Sequence, residues 1–328
     1  MKNSAMTALL VLLIGLALPS STNAATDRLW ATIGTGSLTG VYYSTGHAIS
    51  KTLARYGGDQ KIDMSVLETQ GSLENLEAVT SGRFHFGIVQ SDIQYKAWHG
   101  TTASPWEGNP QKNLRAVFSL YTEAINLVAL SSRNINNLKD LKSKSFKVNL
   151  GELGSGQYIN ANDLLMAVGI HPQDDVREVH VSPPMALELF ERREIDAFFF
   201  TAGHPAALFH EVAGGKRLAK FVTLNPEESL LKNYPYYSRT LIPVKYYSGM
   251  ENKQDVATIG VRATVVASTD TPDWMVYEIV KAVAKNMGYF KSQLLVFQDL
   301  NRAGMIEALS APIHPGALKY YREAGLAQ

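Results

Sequence analysis

The chain has 328 residues, 45% hydrophobic and 19% charged, which is length enough for two domains or one large one and too apolar for a disordered polypeptide. A formal net charge of +1 leaves no basic surplus to neutralise phosphates and speaks against a dedicated nucleic-acid binder. The absence of cysteine excludes disulfides, thiolate metal sites, a cysteine nucleophile and a lipidated N-terminal cysteine.

Residues 1–24 read as a cleavable secretory signal. Lys2 gives a short basic start, Ala8 to Leu18 is uncharged and apolar, and Thr22-Asn23-Ala24 places small residues around a cut after Ala24. A membrane anchor needs about 20 apolar residues to cross the hydrocarbon, and this run is much shorter. The mature protein, having lost Lys2, is expected to be neutral, soluble and periplasmic.

Strand-like runs then alternate with amphipathic helical patterns, which predicts an α/β fold with parallel or mixed sheets and flanking helices. Leu29 to Ile33 reads as a strand, Gly34 to Gly40 as a glycine-rich turn, and Val41 to Arg55 as a helix. Met64 to Leu67 is a second strand. A helix capped by Ser72 and stopped by Gly82 follows, then a buried strand over Phe84 to Val89 that ends in a polar loop, Gln90-Ser91-Asp92. Ala116 to Leu120 and Ile125 to Leu130 are strand-like. The first pattern then recurs: a strand over Lys147 to Leu150, a glycine turn over Gly151 to Gly156, a helix ending at Gly169, a strand over Val176 to Val181, a helix opened by Ser182-Pro183-Pro184, and a buried strand over Ile195 to Phe200 with a loop through Thr201, Gly203 and His204. Ile259 to Ala267 is a long β-branched run, followed after Pro272 by an amphipathic helix. If that run returns to the first lobe, two strands join the lobes. The expected division is 25–122 as the first part of lobe one, 123–258 as lobe two, and 259–328 as the return segment, with hinge closure over a cleft.

Ligands of open α/β sheets sit beyond the carboxyl ends of the strands. There the turns Thr35 to Gly40 and Gly154 to Gln157 open helices whose first N–H groups lack intrahelical partners and carry partial positive charge. Ser37, Thr39 and Ser155 add hydroxyl donors. Two such ends facing each other form an anion clamp without formal charge. Each piece also has a plainer reading: Ser72 and Ser155 as N-caps, Tyr42 and Tyr43 as core, Asp92 as a cap, His204 as a surface or core histidine. Gln90, an amide at the end of a buried strand, is harder to explain as packing, because an unpartnered buried amide costs about 1–3 kcal/mol. No histidine pairing has metal-ligand spacing, so neither a metal nor another cofactor is expected. No Gly-x-Ser-x-Gly elbow, P-loop or His-Glu-x-x-His motif is present, so no catalytic residue is assigned. The turn Gly34-x-Gly36-x-x-x-Gly40 approximates a dinucleotide-binding turn, but its last glycine is one place late, and Asp59 and Asp63 do not close the second strand as the expected acid would.

Several segments in order resemble the TAXI family, the periplasmic solute receptors of one branch of TRAP transporters. They are Ile33-Gly-Thr-Gly-Ser37 with Gly40-Val-Tyr-Tyr43, Glu68-Thr-Gln-Gly-Ser72 with Glu74-Asn75, Ile88-Val-Gln-Ser-Asp92, and Leu138-Lys-Asp-Leu-Lys142. Gly154-Ser-Gly156, Ile195 to Phe200 with Gly203 and Pro205, and Tyr234-Pro-Tyr-Tyr237 with Ile242-Pro243 continue the series. The tail from Pro312 to Gly325 resembles the group of 31 kDa immunogenic proteins within that family. The resemblance implies a type II periplasmic-binding fold that closes over a small organic acid, a glutamate-like amino acid or a 2-oxoglutarate-type acid, and delivers it to an integral membrane permease. It places Gly36, Ser37, Tyr42, Ser72, Gln90 and Ser91 on one side of the cleft, and Ser155, Gly156, Gln157, Thr201, Gly203 and His204 on the other. Gln157, Arg193-Glu194 and Val244-Lys245 depart from the family pattern, with Arg239 and Lys245 expected to add charge near the hinge. Two further readings carry their own tests: a ligand sensor docking on a histidine kinase, and an exported hydrolase using Ser37 or Ser155.

Overall fold

The computed structural model describes residues 29–58, 61–102, 104–225 and 228–328. The expected signal peptide and Asp59 lie outside the described residues. Among the described residues no helix is long and apolar enough to cross a membrane.

Alternating strands and helices run in the order β1 Leu29–Gly34, α1 Val41–Tyr56, β2 Ile62–Leu67, α2 Ser72–Thr80, β3 Phe86–Gln90, α3 Ser91–His99 and β4 Leu114–Leu130. Then come β5 Lys147–Asn149, α4 Gly156–Ala167, α5 Pro172–Asp175, β6 Arg177–Val179, α6 Pro183–Glu191, β7 Ala197–Ala202, α7 Ala207–Gly214 and β8 Ala219–Val222. The chain ends with α8 Glu228–Asn233, β9 Ser238–Ile242, β10 Val256–Ser268, α9 Asp273–Lys285, α10 Met287–Ser292 and α11 Pro315–Glu323. The strand order is β2-β1-β3-β10-β4-β7-β5-β6, with β8 on β4 and β9 on β10. Pairs β1–β2, β1–β3, β5–β6 and β5–β7 are parallel. The ladders of β4 and β10 with other strands are antiparallel. The sheet is therefore mixed, as the fold class expects.

The two long strands connect its halves. The run read as two strands, Ala116 to Leu120 and Ile125 to Leu130, is one: β4 pairs with β10 from Leu114 to Ala124 and with β7 from Ala124 to Ala129. β10 likewise pairs with β9 through Val256–Gly260 and with β3 through Ala263–Val266. Alternation with period two sends successive side chains into different cores. From β4, Ile125 and Leu127 enter one cluster with Val148, Leu164 and Phe199, while Ala124 and Val128 enter another with Phe190, Phe198 and Phe209. Phe118 and Val265 pack with Ile33, Phe86 and Phe290 on the first half, and Val89, Ile93 and Val266 cover its other face. Each fully buried phenylalanine contributes about 1.5–3 kcal/mol of hydrophobic stabilisation.

Two local expectations are corrected. Gln90-Ser91-Asp92 is a strand end running directly into α3, with Ser91 and Asp92 in its first turn. Ser72 is the first residue of α2, whose N-cap is Gly71 at φ 110°. The turn at Arg193-Glu194 places Arg193 at φ 61°, the left-handed region that favours glycine.

Candidate functional site

The loop after β1 is drawn tight by buried side chains. Thr35 donates to Leu67 O from its amide (3.0 Å) and its hydroxyl (2.5 Å). Asn75, fully buried on α2, donates to Thr35 O (2.6 Å) and Ile88 O (2.8 Å), and Thr69 Oγ1 donates to its carbonyl (2.8 Å). One amide thus fixes the ends of β1 and β3 relative to each other. Gly34 allows this approach, since a Cβ there would run into Asn75 Oδ1 and the Phe84 ring. Beyond it, Gly40 caps α1 with no side-chain partner and no acidic residue in the first turn, so the terminal amides and their partial positive charge remain uncompensated.

Facing it, α4 starts at Ser155, which accepts from Tyr158 N (3.2 Å) and donates to Glu152 O (2.7 Å). Both roles of that hydroxyl are taken by capping, so Ser155 is a cap and its proton is committed to a carbonyl. The first turn of α4 also lacks an acid. Between the two helix ends lies a cavity of about 610 Å³, counting the part open to solvent. It is lined by Gly36, Ser37, Tyr42, Ser72 and Gln90 from one half of the sheet, and by Ser155, Gly156, Gln157 and Thr201 from the other. Nine of the twelve expected residues thus surround one space. Among the lining residues no lysine, arginine or histidine occurs, and the ionisable carboxylate is Glu152, whose pKa burial raises. An anion here meets backbone amides and amide side chains in place of a counter-ion.

Three expected residues stand elsewhere. Ser91 Oγ accepts from Arg262 N (3.0 Å) and its carbonyl accepts from Ser310 Oγ (3.1 Å), so it ties α3 to β10. Gly203 packs against Val296 and Tyr121, where a Cβ would not fit. The His204 ring lies between Tyr247 Oη (2.7 Å) and Asn126 Oδ1 (3.1 Å) and stacks on Phe209 at 5.4 Å. Burial lowers its pKa, so it is a neutral packing residue. It lines a separate hollow beside Arg262. Arg239 and Lys245 are exposed and outside the cavity; Lys245 lies over the Tyr246 ring at 5.0 Å.

Behind the cavity runs a buried polar network that residue patterns did not reveal. Gln90 Nε2 (3.1 Å) and Thr201 Oγ1 (3.0 Å) both donate to Asn160 Oδ1. Asn160 Nδ2 donates to Asp92 Oδ2 (2.7 Å) and Tyr237 Oη (3.2 Å). Tyr237 and Lys96 both donate to Asp163 Oδ2, at 2.8 and 2.7 Å. α3 and α4 are thereby stitched together across the seam. Asp92 Oδ1, Gln90 Oε1 and Gln157 Nε2 are buried without a partner among the described residues. Burial raises the Asp92 pKa to about 7, against the pull of Lys96. At the wall, Tyr42 donates to Glu123 Oε2 at 2.6 Å, and burial raises Glu123 to about 8. Asn160 had a signal in the sequence: it stands three residues after Gln157 and one before Ala161, on the face that buries Leu164 and Leu165. Among the described residues no group of histidine, aspartate and glutamate could hold a metal ion.

The architecture is that of periplasmic binding proteins. The structure of the periplasmic binding protein BugD superposes with a TM-score of 0.56 at 12% identity, over 92% of this chain and 99% of that one. A Bordetella bronchiseptica RB50 protein gives 0.51 at 15% identity, covering 91% and 98%. A binding-protein component of an ABC phosphonate transporter from Pseudomonas aeruginosa gives 0.51 at 11% identity, covering 83% and 80%. Residues 33–325 match the model of the NMT1-like family, and the chain belongs to that family.

Proposed function

We propose that this protein is an exported, non-catalytic solute receptor of the TAXI type that binds a small carboxylate in the cavity and delivers it to a TRAP membrane permease. The observation that carries the reading is the pair of helix N-termini, α1 with no side-chain cap and α4 capped by Ser155 alone, neither with an acid in its first turn, on opposite walls of one polar cavity with no cationic side chain in its lining. Such ends bind anions through free amides and the helix dipole. The family, the periplasmic-binding fold and the signal-like N-terminus support export and receptor function. The lobes are 25–122 with 259–328, and 123–258; β4 and β10 are the hinge. Ligand touching both lobes favours the shut state because only that state offers both sets of contacts.

Thermal unfolding of the mature protein against a panel of carboxylates, including glutamate and 2-oxoglutarate, tests the reading. A binder at 100 times its Kd adds about 2.7 kcal/mol and raises the midpoint; a panel without any shift refutes carboxylate binding. Gly156 offers a sharper probe. Its backbone suits any residue, but a Cβ would collide with Gln90 Oε1 across the seam and crowd Ser72 Oγ at 3.2 Å. Gly156→Val is expected to weaken binding by a factor of about 100 or more, because the clash holds the two walls apart, while the circular dichroism spectrum stays unchanged. Wild-type affinity in that variant would remove the seam from the binding site.

A further inference from the structure

The network behind the cavity fixes which atom of Gln90 faces the seam. Lys96 occupies Asp163 Oδ2 from one side (2.7 Å), and the Tyr237 hydroxyl donates to the same oxygen (2.8 Å). A phenol has one proton. With that proton spent, the Tyr237 oxygen facing Asn160 at 3.2 Å can only accept. The Asn160 atom there is therefore the amide nitrogen, which also serves Asp92 Oδ2. Its carbonyl then points the other way and takes hydrogen bonds from Thr201 Oγ1 and Gln90 Nε2. One N–H of Gln90 is thereby engaged by Asn160, and its carbonyl oxygen is turned to the seam at Gly156, buried and without a partner. Gln90 is only 3% exposed, so the orientation is imposed by the network and not by solvent. On the facing helix, Gln157 Nε2 is a buried donor also without a partner.

We propose that the Lys96–Asp163–Tyr237–Asn160 relay holds Gln90 as an obligate acceptor, so that the site selects carboxylates bearing a hydrogen-bond donor, an amino or hydroxyl group, over 2-oxo acids of the same skeleton. This rests on the receptor reading above and deepens it. The carboxylate goes to the helix amides and Gln157 Nε2, and the adjacent donor goes to Gln90 Oε1. A 2-oxo acid sets a carbonyl oxygen against another carbonyl oxygen and leaves the buried acceptor unpaired, a mismatch of the kind that sites built for a hydroxyl or amine reject strongly. Asn160, Tyr237 and Asp163 are positioning residues, acting through Gln90.

Isothermal titration with triads of 2-amino, 2-hydroxy and 2-oxo acids sharing one skeleton, from three to six carbons and including dicarboxylates, tests the relay. The wild type is expected to prefer the amino or hydroxy member over the oxo member by about tenfold or more. In Tyr237→Phe combined with Asp92→Asn, neither neighbour demands the Asn160 nitrogen any longer, Asn160 and Gln90 are free to turn over, and the ratio is expected to fall towards one. Gln90→Met keeps the shape, removes the acceptor and is expected to lose the preference with the fold intact, which serves as the check should the double variant fail to fold. An oxo acid bound as tightly as its amino and hydroxy partners overturns the relay while leaving the receptor reading standing. Failure of every triad to bind refutes the carboxylate receptor itself.

Discussion

Lys96→Met is expected to lower the stability of the protein by about 3 kcal/mol, seen as a drop in urea midpoint and a fall of about 5 °C in thermal midpoint. The Lys96 side chain is only 6% exposed, and its ammonium lies 2.7 Å from Asp163 Oδ2 with Asp92 on the same helix. Removing one member of a buried pair leaves the other charge uncompensated, which costs about 3–5 kcal/mol. The Asp163 side chain retains 18% exposure, which places the loss at the low end of that range. Asp92 loses the cation that holds its pKa down. Lys96→Met with Asp163→Leu is expected to recover most of the stability, because an apolar pair of similar volume replaces the buried ion pair at little cost. An unchanged midpoint in the single variant would mean that the pair contributes nothing across the seam.

The fold was legible because its carriers are periodic. Leu29–Gly34, Ile62–Leu67 and Phe86–Gln90 are apolar runs of strand length, and the glycine turns and Pro183 punctuate helices where the structure has them. The cavity was legible for the same reason, since strand ends in an α/β sheet are predictable places. What escaped depends on contacts between distant segments. Gly203 and His204 lie one and two residues past a cavity strand, yet β7 ends at Ala202 and the chain turns away, so His204, three residues after Thr201, faces Tyr247 and Asn126 instead. Ser91 follows Gln90, but in the first turn of a helix adjacent side chains point in different directions, and Ser91 meets β10. The Asn160 network joins Gln90, Asp92, Thr201 and Tyr237, residues 41 to 77 positions from Asn160 in the chain, and no local pattern encodes such a meeting.

Acidification from pH 8.5 to 5.5 is expected to stabilise the protein by a few kcal/mol. Asp92, facing Lys96, Asp163, Asn160 and Tyr237, has its pKa raised from 3.8 to about 7, and Glu123, facing Tyr42, Tyr121 and Asp92, from 4.5 to about 8, each mainly by desolvation. A carboxyl whose pKa is higher folded than unfolded binds its proton more tightly in the native state, so its stabilisation is complete below the unfolded pKa and is lost as pH rises through the folded one. Here that loss falls between about pH 4 and 8. Each group contributes a slope of up to about 1.4 kcal/mol per pH unit in that window. Thermal melts across the window should show the midpoint climbing as the pH drops, and Asp92→Asn with Glu123→Gln should flatten the curve by raising its alkaline end. A wild-type midpoint that stays level or falls on acidification would mean that both carboxylates are ionised and hydrated in the folded protein. The same groups bear on the ligand: Glu123 is hydrogen-bonded to Tyr42 in the cavity wall and Asp92 to Asn160 behind Gln90. An anion entering the cavity works against both charges, so its binding is favoured with the protons in place and is expected to weaken as the pH passes 8.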